Sequence, residues 1–367
     1  MATTQDYGLG PEQFPRGWFL IAEASELNHK PLALHFFDKD LALYRGESGT
    51  PILLDAHCPH MQCHIAAGDS AVIAKDGAQI EGDSIRCPYH GWRFGADGVC
   101  DDIPYFDGPK PRSARLKSYP VHESLGCIWM WHDHAGAGPS YRAPHLAQWQ
   151  QPQWIHWELD HLGELDVHPQ EIIDNMADAR HLGPTHGAPC EYFENEFRDH
   201  IYIQRQGGFH KEYQAMLQTT TWYTGPGVLL SHQRFGDIES IELIANTPVT
   251  DGRVKLWHGL LVNSGVDQPS DIDINEARQL QAGALDSLAA DFGIWKNKKP
   301  ALRVLQLKSD GPFNTGRIWH KQFYRGSDDA IAIQESVNGI HHTEGLALPP
   351  LESRCQDREL GLFGGGG

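Results

Sequence analysis

The chain contains no apolar run approaching the roughly 20 residues needed to span a bilayer. Its start, Met1 to Pro15, carries neither a basic stretch nor an apolar one, so no secretory leader is expected and a cytoplasmic location is. Basic residues are few, 30 Lys and Arg against 48 Asp and Glu, for a formal charge of −18. That balance argues against nucleic acid as a partner, because phosphate binding needs a basic surface. There is no glycine-rich dinucleotide fingerprint, so any nicotinamide chemistry belongs to another protein. Cysteine is scarce, 7 in 367 residues, and leaves no even framework once two are assigned as below. This points to a reducing compartment. What the chain does have is length for two domains, an apolar share of 40% to fill their cores, and 22 histidines.

Two short segments concentrate metal-binding side chains. Cys58-Pro59-His60 is followed, past a long insert, by Cys87-Pro88-Tyr89-His90-Gly91-Trp92. Each spacing is too tight for a helix face, so each segment reads as a loop tip presenting one thiol and one imidazole to a common point. Four such ligands suit tetrahedral zinc. They also suit a two-iron, two-sulfide cluster with Cys58 and Cys87 on one iron and His60 and His90 on the other, the Rieske arrangement. A zinc finger places both cysteines before both histidines, whereas here each loop contributes one of each. Gly91-Trp92 also resembles Rieske domains. In the respiratory Rieske type an extra Cys in each loop forms a disulfide and a Ser bonds cluster sulfur. Here Tyr89 stands where the partner of Cys63 would be, and Trp92 stands at the Ser position. The resemblance thus implies an unpaired Cys63 and a lower cluster potential, suited to oxygen chemistry.

Short apolar stretches at Gly17 to Ala22, Leu32 to Phe37, Leu41 to Tyr44, Ile52 to Leu54, Ser84 to Arg86 and Cys127 to Trp131 read as antiparallel strands of one all-β domain. The insert between the loops predicts an excursion near Lys75-Asp76-Gly77. A connector rich in Gly, Pro and Gln follows at Ala135 to Pro152. Beyond it, Glu171 to Leu182 is helical in pattern. Ile201 to Arg205, Phe209 to Tyr223, Ile238 to Asn246 and Arg253 to Val262 read as long strands. Asp271 to Phe292 carries apolar residues at helical spacing, including Ala277, Leu280, Ala284, Leu285 and Leu288. Strands followed by a long helix predict an α+β sheet wrapped around a helix.

A second ligand pattern lies in this half. On a helix Asn175, Asp178 and His181 share a face. Gly183-Pro184 then predicts an end or distortion of the helix, which brings His186 back beside His181. Two such histidines with one carboxylate make the facial triad of non-haem Fe(II) sites. The competing reading is ordinary histidines in a histidine-rich chain.

With Asn175-x2-Asp178-x2-His181-x4-His186 beside the two cluster loops, the chain resembles the oxygenase components of Rieske non-haem iron oxygenases. Glu171-Ile172-Ile173-Asp174-Asn175, Asp101 to Tyr105 and Ile294 to Lys298 are most similar to the 3-ketosteroid 9α-hydroxylases. The resemblance implies an α+β fold with a [2Fe-2S] Rieske domain over residues 15–135 and a connector over 136–152. A helix-grip, START-like catalytic domain over 153–360 would precede a flexible tail over 361–367. It implies a downstream carboxylate as third iron ligand. Asp310, ahead of Gly311-Pro312, is the candidate, with a helix N-cap as its alternative role and Asp291 and Glu335 in reserve. By the same resemblance Asn175 supports the site, and Asp178 bridges His181 to a cluster histidine of a neighbouring subunit in a homotrimer. Mononuclear Fe(II), O2 as co-substrate and a flavin and iron–sulfur reductase or ferredoxin drawing on NADH are implied as well, together with a large hydrophobic substrate of steroid type. Trp222, Tyr223, Trp257, Leu260 and Phe209 are candidates either for plain core or for lining an apolar cavity. Dealkylation of another apolar compound would use the same ligands. A Rieske electron carrier would lack the second iron, and a zinc-stabilised interaction protein would lack sulfide.

Overall fold

Short apolar stretches separated by turn residues build the first half of the chain. A computed structural model describes residues 1–354 and Leu360. The tail expected over 361–367 lies outside the described residues. One unit runs from Trp18 to Ala143. Its strands form small antiparallel sheets, one of them joining Leu32–Phe36, Lys39–Arg45, Pro51–Asp55 and Ser118–Tyr119. The first hairpin turns on Phe37 and Asp38, both with positive φ, the backbone that matches the twist of paired strands. Phe37 is therefore a turn residue and not the end of a strand. In the insert the helix Val72–Lys75 ends ahead of Gly77, φ 70°. The core of this unit packs Tyr44, Leu54, Ile65, Ile85 and Phe94 around Cys58 and Cys87, so both thiols are core atoms.

The second unit comprises Met1–Gly17 with Pro144–Gly367. Its N-terminal segment, unassigned by sequence, is bound in by the Thr4 amide and hydroxyl, both donating to Asp251, and by Arg16 N–H donating to Phe323 O. Strands β1 (Asp160–Leu165), β2 (Tyr192–Arg198), β3 (Ile201–His210), β4 (Ala215–Thr224), β5 (Val228–Phe235), β6 (Ile238–Thr250) and β7 (Arg253–Asn263) make one antiparallel sheet. The order is β7-β6-β5-β4-β3-β2, with β1 also paired to β7. Phe209 to Tyr223 is not one strand. The chain turns back at residues 211–214, and Gln214 takes a left-handed φ of 50°.

The helices α1 (Pro169–Ile173), α2 (Leu182–His186), α3 (Asp271–Asn297), α4 (Phe313–Lys321) and α5 (Ser327–Val337) complete the unit. Ser270 and Asp273 close a capping box that starts α3. Its buried positions are Ala277, Gln281, Leu288, Asp291 and Trp295, a single stripe at helical spacing. Ala277 packs with Leu260 and Val262, and Trp295 packs with Val254 and Leu256, so α3 lies along one face of the sheet. This is the expected sheet gripping a helix. Among the described residues no helix is long and apolar enough to cross a membrane.

A second core holds α4 to the sheet through Trp319, fully buried against Tyr202 and Phe323, with its indole N–H donating to Asp199 O. Trp319→Ala is expected to destabilise this unit by about 3–5 kcal/mol, the usual cost of emptying so large a site. Chemical denaturation of the purified variant measures it, and an unchanged midpoint would mean the core collapses around the gap.

Candidate functional site

The two cysteine-histidine loops share one backbone design. Cys58 N–H donates to Cys63 O at 2.9 Å, and Gln62 N–H donates back to Cys58 O at 2.8 Å. In the second loop Cys87 N–H donates to Trp92 O at 2.8 Å, and Gly91 N–H to Cys87 O at 3.0 Å. Each loop closes through a left-handed fifth position, Gln62 with φ 57° and Gly91 with φ 75°. The thiols of Cys58 and Cys87 point inward and touch. Their mutual hydrogen bond raises the Cys58 pKa and lowers that of Cys87. The imidazoles of His60 and His90 lie nearer solvent, ring centres 4.6 Å apart. Two buried thiols beside two outer imidazoles fit a cluster with one iron on sulfur and one on nitrogen. Trp92 stacks on His60 at 4.6 Å and donates its indole N–H to the Tyr105 hydroxyl. Cys63 forms no disulfide, and burial raises its thiol to about 11.

The second site departs from the helix expected over Glu171 to Leu182. α1 passes into a tighter turn at Asp174–Ala177 and stops at Asp178, whose ψ is 83°. The cause is local. The Asp178 carboxylate accepts the N–H groups of Arg180 and His181 at 3.0 and 3.2 Å, which replaces the helical bonds those residues would make. The chain resumes as α2, with Gly183-Pro184 inside its first turn, where proline is tolerated. The break thus falls at Asp178 and not at Gly183-Pro184, and His181 and His186 sit at the two ends of the short α2, ring centres 5.2 Å apart.

Neighbouring residues brace this bent segment. Buried Glu171 accepts from Tyr7 and from Ala301 N–H and pairs with Lys298. Asp174 accepts from Gln170 and from both Arg317 Nε and Nη2.

The carboxylate beside the two imidazoles is that of Asp291, from the buried stripe of α3. Ligand atoms of His181, His186 and Asp291 all lie within 4.8 Å of one another. His186 Nε2 is 3.4 Å from Asp291 Oδ2, and its Nδ1 is 3.2 Å from Ser287 Oγ. His181 Nδ1 is 2.6 Å from the Asp178 carbonyl, with Asp178 Oδ2 at 3.7 Å. Burial presses the His181 pKa down, but Asp178 and then Asp291 outweigh it and hold it up. Each histidine thus has one nitrogen occupied by an outer partner and one turned to the shared point, the usual way a ligating tautomer is set. Two imidazoles and one carboxylate at this spacing fit Fe(II).

Asp310 is not in this group. Its carboxylate accepts Leu307 N–H at 2.8 Å and closes a turn before α4. It does not cap that helix either, because Pro312 holds the N-cap position. Glu335 is exposed on α5 rather than in a loop.

The trio opens on a cavity of about 220 Å3. One water needs about 10–15 Å3 on the same measure, so there is room for a substrate molecule. Asn175 lines it. Trp222, Tyr223, Trp257, Leu260 and Phe209 do not. Tyr223 packs against Trp319, Leu260 lies under α3, and Phe209 is surface-exposed.

Behind the cavity wall, His258 is held between Glu242 and Asp160, at 3.1 and 2.8 Å. Burial lowers its pKa, but Glu242 and Asp160 together raise it above 6.5. A raised folded-state pKa contributes stability that is complete below about 6.5 and is lost as pH rises through the folded value. As pH rises above about 6.5 the wild type should therefore lose stability that His258→Gln does not lose. Urea midpoints measure this, and parallel pH profiles would remove the assignment.

Residues 17–120 match the Rieske [2Fe-2S] domain, and residues 130–324 match the 3-ketosteroid 9alpha-hydroxylase C-terminal domain. A 3-ketosteroid-9-alpha-monooxygenase oxygenase component of Rhodococcus rhodochrous is 30% identical, covering 91% of this chain and 88% of that protein. The protein of the same description from Mycolicibacterium smegmatis is 29% identical over 87% and 85%. Crystalline dicamba monooxygenase bound to dicamba shares the fold, with a TM-score of 0.63 at 21% identity, covering 88% of this chain and 97% of that one. With its second half matched over more than half of the whole length, the chain belongs to the 3-ketosteroid 9alpha-hydroxylase family of Rieske non-haem iron monooxygenases.

Proposed function

We propose that this protein is an oxygenase component that hydroxylates a steroid-sized ring substrate, with mononuclear Fe(II) held by His181, His186 and Asp291. The observation that carries the reading is the convergence of those three side chains on one cavity. The similarity to 3-ketosteroid-9-alpha-monooxygenase oxygenase components supports a steroid over other ring compounds. Bound at the trio, Fe(II) supplies the reductive activation of O2 that inserts one oxygen atom into a C–H bond, with electrons drawn from a [2Fe-2S] cluster on Cys58, His60, Cys87 and His90.

The chain's own residues hold and shield. Ser287 and the Asp178 carbonyl orient the two imidazoles. Leu182, Ala284 and Leu288 exclude water beside them. Asp178 is the electron bridge in this reading. It accepts from His181 on one side and from a cluster-ligand histidine of the neighbouring chain on the other, within a homotrimer. A separate flavin and iron–sulfur reductase or a ferredoxin reduces the cluster using NADH.

A panel of 3-oxo steroids, free and as thioesters, offered with a surrogate reductase and scored for hydroxylated product, tests the proposal. Iron and sulfide analysis with electron paramagnetic resonance accompanies it. Hydroxylated steroid is expected. Intact centres that turn over no steroid would overturn the substrate class, and a single kind of iron centre would overturn the mechanism.

A further inference from the structure

The cavity has two unlike walls. Residues of α1 to α3 and the segments between them contribute an apolar one, including Ile172, Met176, Leu288 and Trp295. The sheet contributes a mostly polar one, interrupted by Leu217, Leu229 and Ile244, and register arranges its polar groups in rows. Gln204 on β3 stands opposite Thr221 on β4, Thr221 opposite Ser231 on β5, and Ser231 opposite Glu242 on β6. One step along, Gln206 stands opposite Thr219, and Thr219 opposite Gln233. All seven line the cavity. A buried sheet face is ordinarily β-branched and aliphatic, and polar groups persist there only where they are hydrogen-bonded.

The first row is largely satisfied within the protein. Thr221 Oγ1 lies 2.7 Å from Ser231 Oγ, and Gln204 Nε2 donates to Met176 O at 3.1 Å. Gln233 Nε2 donates to Glu242 Oε2 at 2.7 Å, and His258 Nε2 lies 3.1 Å from Glu242 Oε1. In the second row Gln233 is held by Glu242 and Gln206 Oε1 accepts from Cys190 Sγ, but the middle member is left over. Thr219 Oγ1 is buried, its residue 7% exposed, and has no hydrogen-bond partner among the described residues. It sits in the middle of its row on the cavity face, where a bound molecule can supply the missing partner.

We infer that the substrate is an amphipathic ring system with hydroxyl groups along one face, and that the Thr219 and Thr221 rows bind that face while the helical wall takes the apolar one. Glu242 already meets Gln233 and His258, and the lone pairs they leave can still accept from a hydroxyl, so this wall suits neutral hydroxyl donors. The inference rests on the ring-hydroxylating function proposed above and narrows its substrate.

The test separates binding from turnover. Calorimetry on the holoenzyme compares a 3-oxo steroid without ring hydroxyls to the same skeleton with two hydroxyls on one face. The hydroxylated ring is expected to bind about tenfold or more tightly, the effect of one or two net hydrogen bonds. Thr219→Val, which keeps the shape of the side chain, should cut that preference by about threefold to tenfold. Ser231→Ala provides a second variant should the first load its metals poorly. Equal binding of both rings by the wild type, or an unchanged preference in both variants, would overturn the polar-face inference and leave the ring-hydroxylase reading standing. If neither ring binds, both fall. Turnover of the bound rings, scored separately, bears on the ring-hydroxylase reading alone.

Discussion

Asp291→Ala is expected to strip the mononuclear iron while leaving the [2Fe-2S] cluster loaded, and to abolish substrate oxidation. The expectation follows from geometry. Asp291 is buried on the inward stripe of α3, 3.4 Å from His186 Nε2, and it is the one carboxylate grouped with both histidines among the described residues. Losing a partner outside the ligand set typically costs about 10–100-fold in metal affinity or activity, so losing a ligand should cost more. Asp310→Ala is the matched control. It removes the acceptor of Leu307 N–H and loosens a turn, and iron content should stay near the wild-type value. Metal analysis of both variants decides the matter. Retained iron in Asp291→Ala, or iron lost from Asp310→Ala alone, would return the ligand role to Asp310.

Asp178→Asn should leave both centres loaded and slow coupled turnover by about 10–100-fold or more. An amide in place of the carboxylate still offers one oxygen to the N–H groups of Arg180 and His181, so the break before α2 survives. What disappears is the negative charge facing His181. Burial pushes the Asp178 carboxyl pKa up, but the bond to His181 outweighs it and holds the pKa low, so the group is ionised at neutral pH. Single-turnover and steady-state rates, taken with iron and sulfide content, separate electron delivery from metal loss. Normal coupled rates in a fully loaded variant would remove the bridging role, and lost iron would reassign Asp178 to holding His181 in place.

The two sites were not equally legible in the sequence. The cluster loops were, because four ligands sit within two short segments whose tight spacing forces each pair to a loop tip. His181 and His186 were legible as a pair for the same reason. Asp291 was harder to find, yet its signal was present. It lies three residues beyond Leu288 and four before Trp295, so it falls on the buried stripe of α3, where an ionisable side chain is seldom left without a partner. Asp310 stood out through its Gly-Pro neighbours, and its carboxylate closes a turn onto Leu307 N–H.

The cavity wall shows the limit most clearly. Gln204 and Gln206, Thr219 and Thr221, and Ser231 and Gln233 are spaced two apart, so each pair shares one face of its strand, but that period does not say which face meets the cavity. The aromatic residues that looked suited to an apolar lining went to other packing, and the polar face received the cavity. Ligand identity in the loops and the kind of iron chemistry were set by spacing along the chain, because a few covalent bonds limit where those side chains can go. The grouping of Asp291 with the two histidines and the character of the cavity wall were decided only when α3 docked on the sheet, because that packing joins residues roughly a hundred positions apart and no local rule of spacing reaches so far.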